Sequence, residues 1–196
     1  MKMTTVVLAG VGGQGTILAG DVLAKVAVAE GMDVKLSEVH GMAQRGGSVE
    51  TFVRFGETVF SPVVDPGVAD HLIAFEMTEA ARTLPYLRPG GTLVVNRRTV
   101  DSLPVLIGDV PAPEGLEEAL VGEGAIFLDA EALACEAGSP RSANIVLMGA
   151  ASYALPFEVP TWERVISDRV PPRTVEANLR AFHLGRDACA EGVCSL

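Results

Sequence analysis

The chain opens on a short β-branched and apolar run, Thr4 to Ala9, that reads as a buried strand. Glycines crowd the next six positions, Gly10 to Gly15 (GVGGQG). From Thr16 to Glu30 the period changes. Leu18, Val22 and Val26 fall on one face of a helix, Asp21 and Lys25 form an i,i+4 pair, and Gly31 supplies the C-terminal stop. A second strand follows over Asp33 to Ser37, so the opening reads as a βαβ unit. Residues 38–47 (EVHGMAQRGG) carry no period and read as a loop. Ser48 to Phe55 then alternates, with Val49, Thr51, Val53 and Phe55 against Glu50, Phe52 and Arg54. Gly56-Glu57 before Thr58-Val59-Phe60 predicts a tight antiparallel hairpin.

Further along, the pattern predicts strands at His71 to Phe75, Thr92 to Asn96, Ala125 to Leu128 and, more weakly, Leu103 to Gly108. Helices are predicted over Glu76 to Leu84, stopped at Pro85, and over Asp129 to Ala137. Arg88-Pro89-Gly90-Gly91 reads as a turn, and residues 111–124, rich in Pro, Gly and Glu, as a surface excursion. Ser139-Pro140 caps a helix running to about Leu155, with small residues Gly149, Ala150 and Ala151 that suggest burial. Thr161 to Arg169 and Thr174 to Ala190 are amphipathic helices separated by Pro171-Pro172. Strands separated by helices imply a three-layer α/β fold: a mainly parallel sheet, an antiparallel hairpin and flanking helices. The 196 residues suit one domain, 1–196, whose part from about 139 onward is helical.

Composition narrows the partners. The formal charge is -10, which disfavours nucleic acid and anionic membranes. Hydrophobic residues reach 48%, yet no apolar run approaches the roughly 18 residues of a membrane span. No signal-peptide pattern follows the start, and a cytoplasmic location is expected. High apolar content without a span suggests surface buried against partner proteins. Three cysteines, Cys135, Cys189 and Cys194, make no Cys-x-x-Cys and fall short of the four thiolates of an iron–sulfur cluster.

The candidate chemistry lies in two glycine-bearing segments. Gly10, Gly12 and Gly15 satisfy G-x-G-x-x-G between a strand and a helix, the context in which the motif has meaning. Gly13 and Gln14 complete the loop. Such a turn brings backbone N–H groups close to an anion at a helix N-terminus. No Walker lysine-serine ending follows, so a P-loop is excluded. Glu38, at the end of the second strand, sits where a dinucleotide-binding fold places its ribose-binding acid. The carboxyl ends of strands in such a fold share one crevice, which brings His40, Gln44, Arg45, Gly46, Gly47 and Ser48 toward the glycine loop. Arg45 offers a bidentate fork for phosphate or carboxylate, or else a structural ion pair with Glu38 or Glu50. His40 is a possible catalytic group or a loop-pinning hydrogen bond. His71 and His183 read as structural.

Gly10 to Gly15 followed by Ala19-Gly20, together with residues 37–48 (SEVHGMAQRGGS), resembles the gamma-type subunit of 2-oxoacid:ferredoxin oxidoreductases. The second run is similar to the beta subunit of the indolepyruvate branch more than to the pyruvate branch. Val53 to Gly56, Ser61-Pro62, Pro89 to Gly91 and Asn144 with Gly149 fit the same comparison, which spans nearly the whole chain.

The resemblance implies a non-autonomous subunit. The complex would oxidatively decarboxylate an aryl pyruvate (or pyruvate, or 2-oxoglutarate) to an acyl-coenzyme A and pass electrons to ferredoxin. Thiamine diphosphate, magnesium and 4Fe-4S clusters are expected in a larger partner subunit, and no metal or covalent cofactor in this chain. Coenzyme A is expected at the glycine loops, with Gly12, Gly13, Gln14, Gly15, Gln44 and Arg45 as candidates for its phosphates or for the partner-facing crevice. An NAD-dependent dehydrogenase and a non-catalytic interaction module are the alternative readings.

Overall fold

A computed structural model describes residues 3–41 and 47–190. One six-stranded sheet runs through the molecule in the order β2-β3-β1-β4-β5-β6. Its strands are β1 (Thr4–Val11), β2 (Asp33–His40), β3 (Ser48–Gly56), β4 (Ala69–Ala74), β5 (Leu87–Asn96) and β6 (Ile126–Leu128). The pairings β1–β4, β4–β5 and β5–β6 are parallel, whereas β3 is antiparallel to both β1 and β2. The mixed, mostly parallel sheet inferred from the alternating pattern is therefore present.

The two-residue period of β1 decides the layers. Val6 and Leu8 face α1 (Thr16–Ala29), α5 (Ala130–Glu136), α6 (Ala143–Ser152), α7 (Val159–Arg169) and α8 (Val175–Ala190). Val7 and Ala9 face the opposite way, toward α2 (Met77–Thr83) and α4 (Leu116–Gly122). The thicker layer buries Trp162, stacked at 5.7 Å on Phe182, with Phe157 and Phe55 continuing the aromatic column. Each such fully buried side chain contributes roughly 1.5–3 kcal/mol.

Several local expectations are corrected. β3, not β2, lies beside β1, because Val49, Thr51, Phe52, Val53 and Phe55 are all buried and demand a central position. β2, with no fully buried residue, takes the edge, where its charged positions discourage further pairing. The antiparallel hairpin thus joins β2 to β3, with Asp33 opposite Gly56 and His40 opposite Val49. Thr58 to Phe60 forms no strand. The Asp33 carboxylate takes the Val59 N–H at 2.8 Å, and Arg54 donates to the carbonyls of Ser61 and Val63 at 2.8 and 2.6 Å.

Leu103–Leu106 is a helical turn, α3, and not a strand. Ser102 before it and Pro104 in its first turn suit a helix start. The excursion of residues 111–124 contains α4, introduced by Gly115 at φ 68°. Residues 88–91 do not break the chain into a turn. They lie within β5, where the pairing with β4 shifts register between Ala69 and His71. Pro140–Ser142 forms a separate 3-10 turn ahead of α6. Pro85 likewise sits in a 3-10 turn after α2, and Gly31 closes α1 at φ 81° as its position requires.

Candidate functional site

After β1 the chain passes to α1 on the thick face, and after β4 it passes to α2 on the thin face. Neighbouring parallel strands whose connections depart to opposite sides leave a crevice beyond their carboxyl ends. A cleft of about 500 Å³ occupies that place. Val11 to Gln14 form one wall, Phe75 after β4 and Asn96 and Arg98 at and after β5 form the floor and far side, and Glu131 and Arg141 complete it.

The glycine wall is built by backbone requirements. A Cβ on Gly10 would come within 2.6 Å of Gln14 Oε1 and 2.9 Å of Phe75 Cβ. The Gln14 side chain folds back to accept the Val11 N–H at 2.8 Å, closing the turn. Gly13 and Gly15 hold φ 100° and 82°, a region that disfavours a side chain by roughly 1–2 kcal/mol. Asn144 of α6 donates to the Gly15 carbonyl at 3.3 Å and so ties the loop to the thick layer. Gly15 precedes α1 without a side-chain cap, and no acid occupies the first turn of α1. Its positive end is therefore left for an external anion.

The second segment meets the first. Gly12 donates its N–H to the Gly47 carbonyl at 2.9 Å, and Gly41 donates to Ser48 O at 3.1 Å. Ser48 sits beside Val11 and donates its hydroxyl to Glu79 of α2. Val11, Ser48, Glu79 and Arg82 belong to a second cleft of about 230 Å³ on the thin side. Gln44, Arg45 and Gly46 lie outside the described residues.

Glu38 and His40 are placed differently. Both belong to β2, opposite Thr51 and Val49, with β3 between them and β1. Two strand spacings separate β2 from β1, about 10 Å. Neither residue is in the walls of the 500 Å³ cleft.

Four polar residues that sequence reasoning missed dominate the far wall. Asn96 is buried; its amide donates to Phe75 O at 3.1 Å and to Glu131 Oε2 at 2.9 Å, and its carbonyl accepts Ala130 N–H at 3.0 Å. Glu131 in turn receives Arg98 at 2.7 Å. Arg141 is exposed at the cleft and makes no hydrogen bond or ion pair among the described residues. Asn96, Arg97 and Arg98 directly follow a recognisable strand, a signal that a search of every strand end would have used.

Titratable groups near the smaller cleft are perturbed. Burial pushes the Glu50 carboxyl up, and the charge of Glu79 adds to it. Burial also pushes Glu76 up, while backbone N–H groups of Glu79, Thr78 and Val100 oppose it. Among the described residues, no three His, Cys, Asp or Glu side chains gather as metal ligands. No helix of the described residues is long and apolar enough to cross a membrane.

Residues 5–188 match the model of the pyruvate ferredoxin/flavodoxin oxidoreductase family. The chain belongs to that family. Within it, the chain is 41% identical over 199 residues to indolepyruvate oxidoreductase subunit IorB of Thermococcus kodakarensis, covering 97% of this chain and 98% of the relative. It is 31% identical to 2-oxoglutarate synthase subunit KorC of Methanothermobacter thermautotrophicus, covering 94% of each. The fold of this family member is shared with the gamma subunit of the keto/oxoacid ferredoxin oxidoreductase of Geobacter sulfurreducens. That match has TM-score 0.72 and 24% identity, over 96% of this chain and 99% of the other. It also matches 2-oxoglutarate:ferredoxin oxidoreductase from Magnetococcus marinus, solved with 2-oxoglutarate, coenzyme A and succinyl-CoA bound. There the TM-score is 0.75 at 24% identity, over 97% of this chain but only 32% of the other. The family fold thus occurs both as a separate subunit and as part of a longer chain.

Proposed function

We propose that this chain is the small, non-autonomous subunit of a cytoplasmic 2-oxoacid:ferredoxin oxidoreductase acting on indolepyruvate or a related aryl pyruvate. The overall reaction joins a 2-oxoacid, coenzyme A and oxidised ferredoxin, and yields acyl-coenzyme A, carbon dioxide, a proton and ferredoxin reduced by two electrons. The observation that carries this reading is the 41% identity, end to end, with an indolepyruvate oxidoreductase subunit. The cleft at the carboxyl ends of β1, β4 and β5 supports a ligand-binding share in that reaction. With three cysteines and no gathered metal ligands among the described residues, the chain does not fit a 4Fe-4S cluster. That group, thiamine diphosphate and magnesium are assigned to the larger partner.

The chain's own contribution is to offer the glycine loop, with Gln44 and Arg45 from the neighbouring segment, to coenzyme A and to the partner. The alternative of an NAD-dependent dehydrogenase is weakened because Glu38 stands two strands away from the loop it would have to serve. The 31% match to a 2-oxoglutarate synthase subunit keeps that oxoacid as a second substrate to test.

Co-expression with the larger subunit tests the proposal. The purified complex is expected to reduce ferredoxin with indolepyruvate and coenzyme A, faster than with pyruvate or 2-oxoglutarate, and the chain alone to show no turnover. Aryl-pyruvate oxidation by the isolated chain would overturn it.

A further inference from the structure

The main cleft has two unlike walls. The glycine wall presents backbone, with the N–H of Gly12 already taken by Gly47 O at 2.9 Å. The opposite wall presents Arg98 and Arg141 from two separate elements. Arg98 is held from behind. Its guanidinium meets Glu131 at 2.7 Å, Glu131 meets Asn96 at 2.9 Å, and Asn96 is only 2% exposed and anchored on Phe75 O and Ala130 N–H. A buried amide that fixes a carboxylate, which fixes a guanidinium, is a supporting shell of the kind that pre-organises a binding group. Arg141 has no such support and no counter-charge among the described residues. Two guanidiniums facing one carboxylate leave the wall with a formal excess of positive charge, on a chain whose total is -10.

We propose that Arg98 and Arg141 form an anion-reading wall for the diphosphate of a nucleotide-type ligand, with Glu131 and Asn96 as positioning residues for Arg98. The proposal rests on the cleft being the ligand site of the reading above, and deepens it by naming the recognition group. A space of about 500 Å³ lies within the 300–1,000 Å³ usual for sites of drug-sized ligands, and exceeds what a small oxoacid needs. Guanidinium forks on two elements suit a diphosphate, whose oxygens accept several hydrogen bonds at once. A single carboxylate would engage one fork and leave the other unused.

Calorimetric titration of the full chain, and of its complex with the larger subunit, tests this with ADP as probe and acetate as the carboxylate control. ADP is expected to bind and acetate to give no heat at equal concentration. Arg141→Gln and Arg98→Gln should each weaken ADP about ten-fold, the scale of one charged hydrogen-bonded contact. Glu131→Gln should weaken it similarly, and the double variant Arg98→Gln/Glu131→Gln no more than Arg98→Gln alone, because Glu131 acts through Arg98. Glu131→Asp should restore binding.

In the active complex, Arg141→Gln should raise the KM for coenzyme A and leave that for the oxoacid unchanged. Unaltered ADP affinity in both arginine variants, or no ADP binding by either chain or complex, overturns the proposal. A rise in the oxoacid KM alone overturns it in favour of a carboxylate site. Arginine-dependent ADP binding by a complex that oxidises no 2-oxoacid would leave this inference standing and remove the proposed function instead.

Discussion

Glycine serves two opposite purposes in this chain, at the α6–α8 crossing and at the β1–α1 loop. At the crossing, a Cβ on Gly149 would lie 2.0 Å from the Phe182 carbonyl oxygen, and one on Gly185 would lie 2.0 Å from that of Val146. Two helices touch there backbone to backbone, so the missing atoms are a packing requirement. At the loop, a Cβ on Gly13 would meet nothing within 4 Å, and only its φ of 100° demands glycine. Gly10 and Gly15 lie between these cases, each 2.6 Å from a side-chain atom. Buried backbone contact makes the crossing intolerant, while open space leaves the loop's far side free for a ligand. The same residue type therefore marks core in one region and site in the other.

Gly149→Ala and Gly185→Ala should break this comparison most sharply. Forcing an atom against a backbone carbonyl costs at least about 3 kcal/mol, the upper part of the overpacking range. For a chain of this size that lowers Tm by roughly 6–12 °C. Thermal denaturation of the full chain measures it, and an unchanged Tm would refute the backbone-contact account.

Asn96→Ala comes next. It leaves the Ala130 N–H without its acceptor and frees Glu131, at about 1–3 kcal/mol for the unsatisfied buried groups. Urea unfolding should show the lower midpoint with an unchanged m-value. Gly13→Ala should cost only about 1–2 kcal/mol through its positive φ, keeping the fold intact by circular dichroism. The contrast with Gly149→Ala separates conformational from steric glycines.

The smallest effect concerns pH. Burial holds the His71 imidazole below its ordinary 6.5, with the Asp70 charge only partly opposing it. Below pH 6.5 the unfolded chain takes up a proton that the folded chain resists, so stability declines as pH falls through that range. His71→Gln should flatten the slope of Tm between pH 7 and 5. Glu50 works the other way: its raised carboxyl loses stability as pH rises through its folded range. Glu50→Gln should therefore raise Tm slightly at pH 7 and leave it unchanged at pH 4.

Much of this architecture was legible along the chain. The apolar run of β1, the period of α1, the stop at Gly31 and the two C-terminal helices follow from local patterns that burial reinforces. The convergence of the two glycine segments was also foreseeable, and appears as the Gly12–Gly47 hydrogen bond. Where short apolar runs were ambiguous, reading failed. Leu103–Leu106 is helical and largely exposed, although its composition suits a strand. Glu38 looked like a ribose acid because a βαβ unit places its second strand beside the first, and only pairing revealed β3 between them.

By itself, the sequence determined the layered α/β class, the glycine turn at the end of β1 and the family to which the chain belongs. These depend on residue periodicity and on conformations that few residues other than glycine can adopt. Tertiary structure decided which strand ends share a cleft, and so brought Asn96, Arg98 and Arg141 opposite Gly12 and Gly13. Strand order is set by how many faces each strand must bury, and that competition is global. No local stretch of the chain contains it.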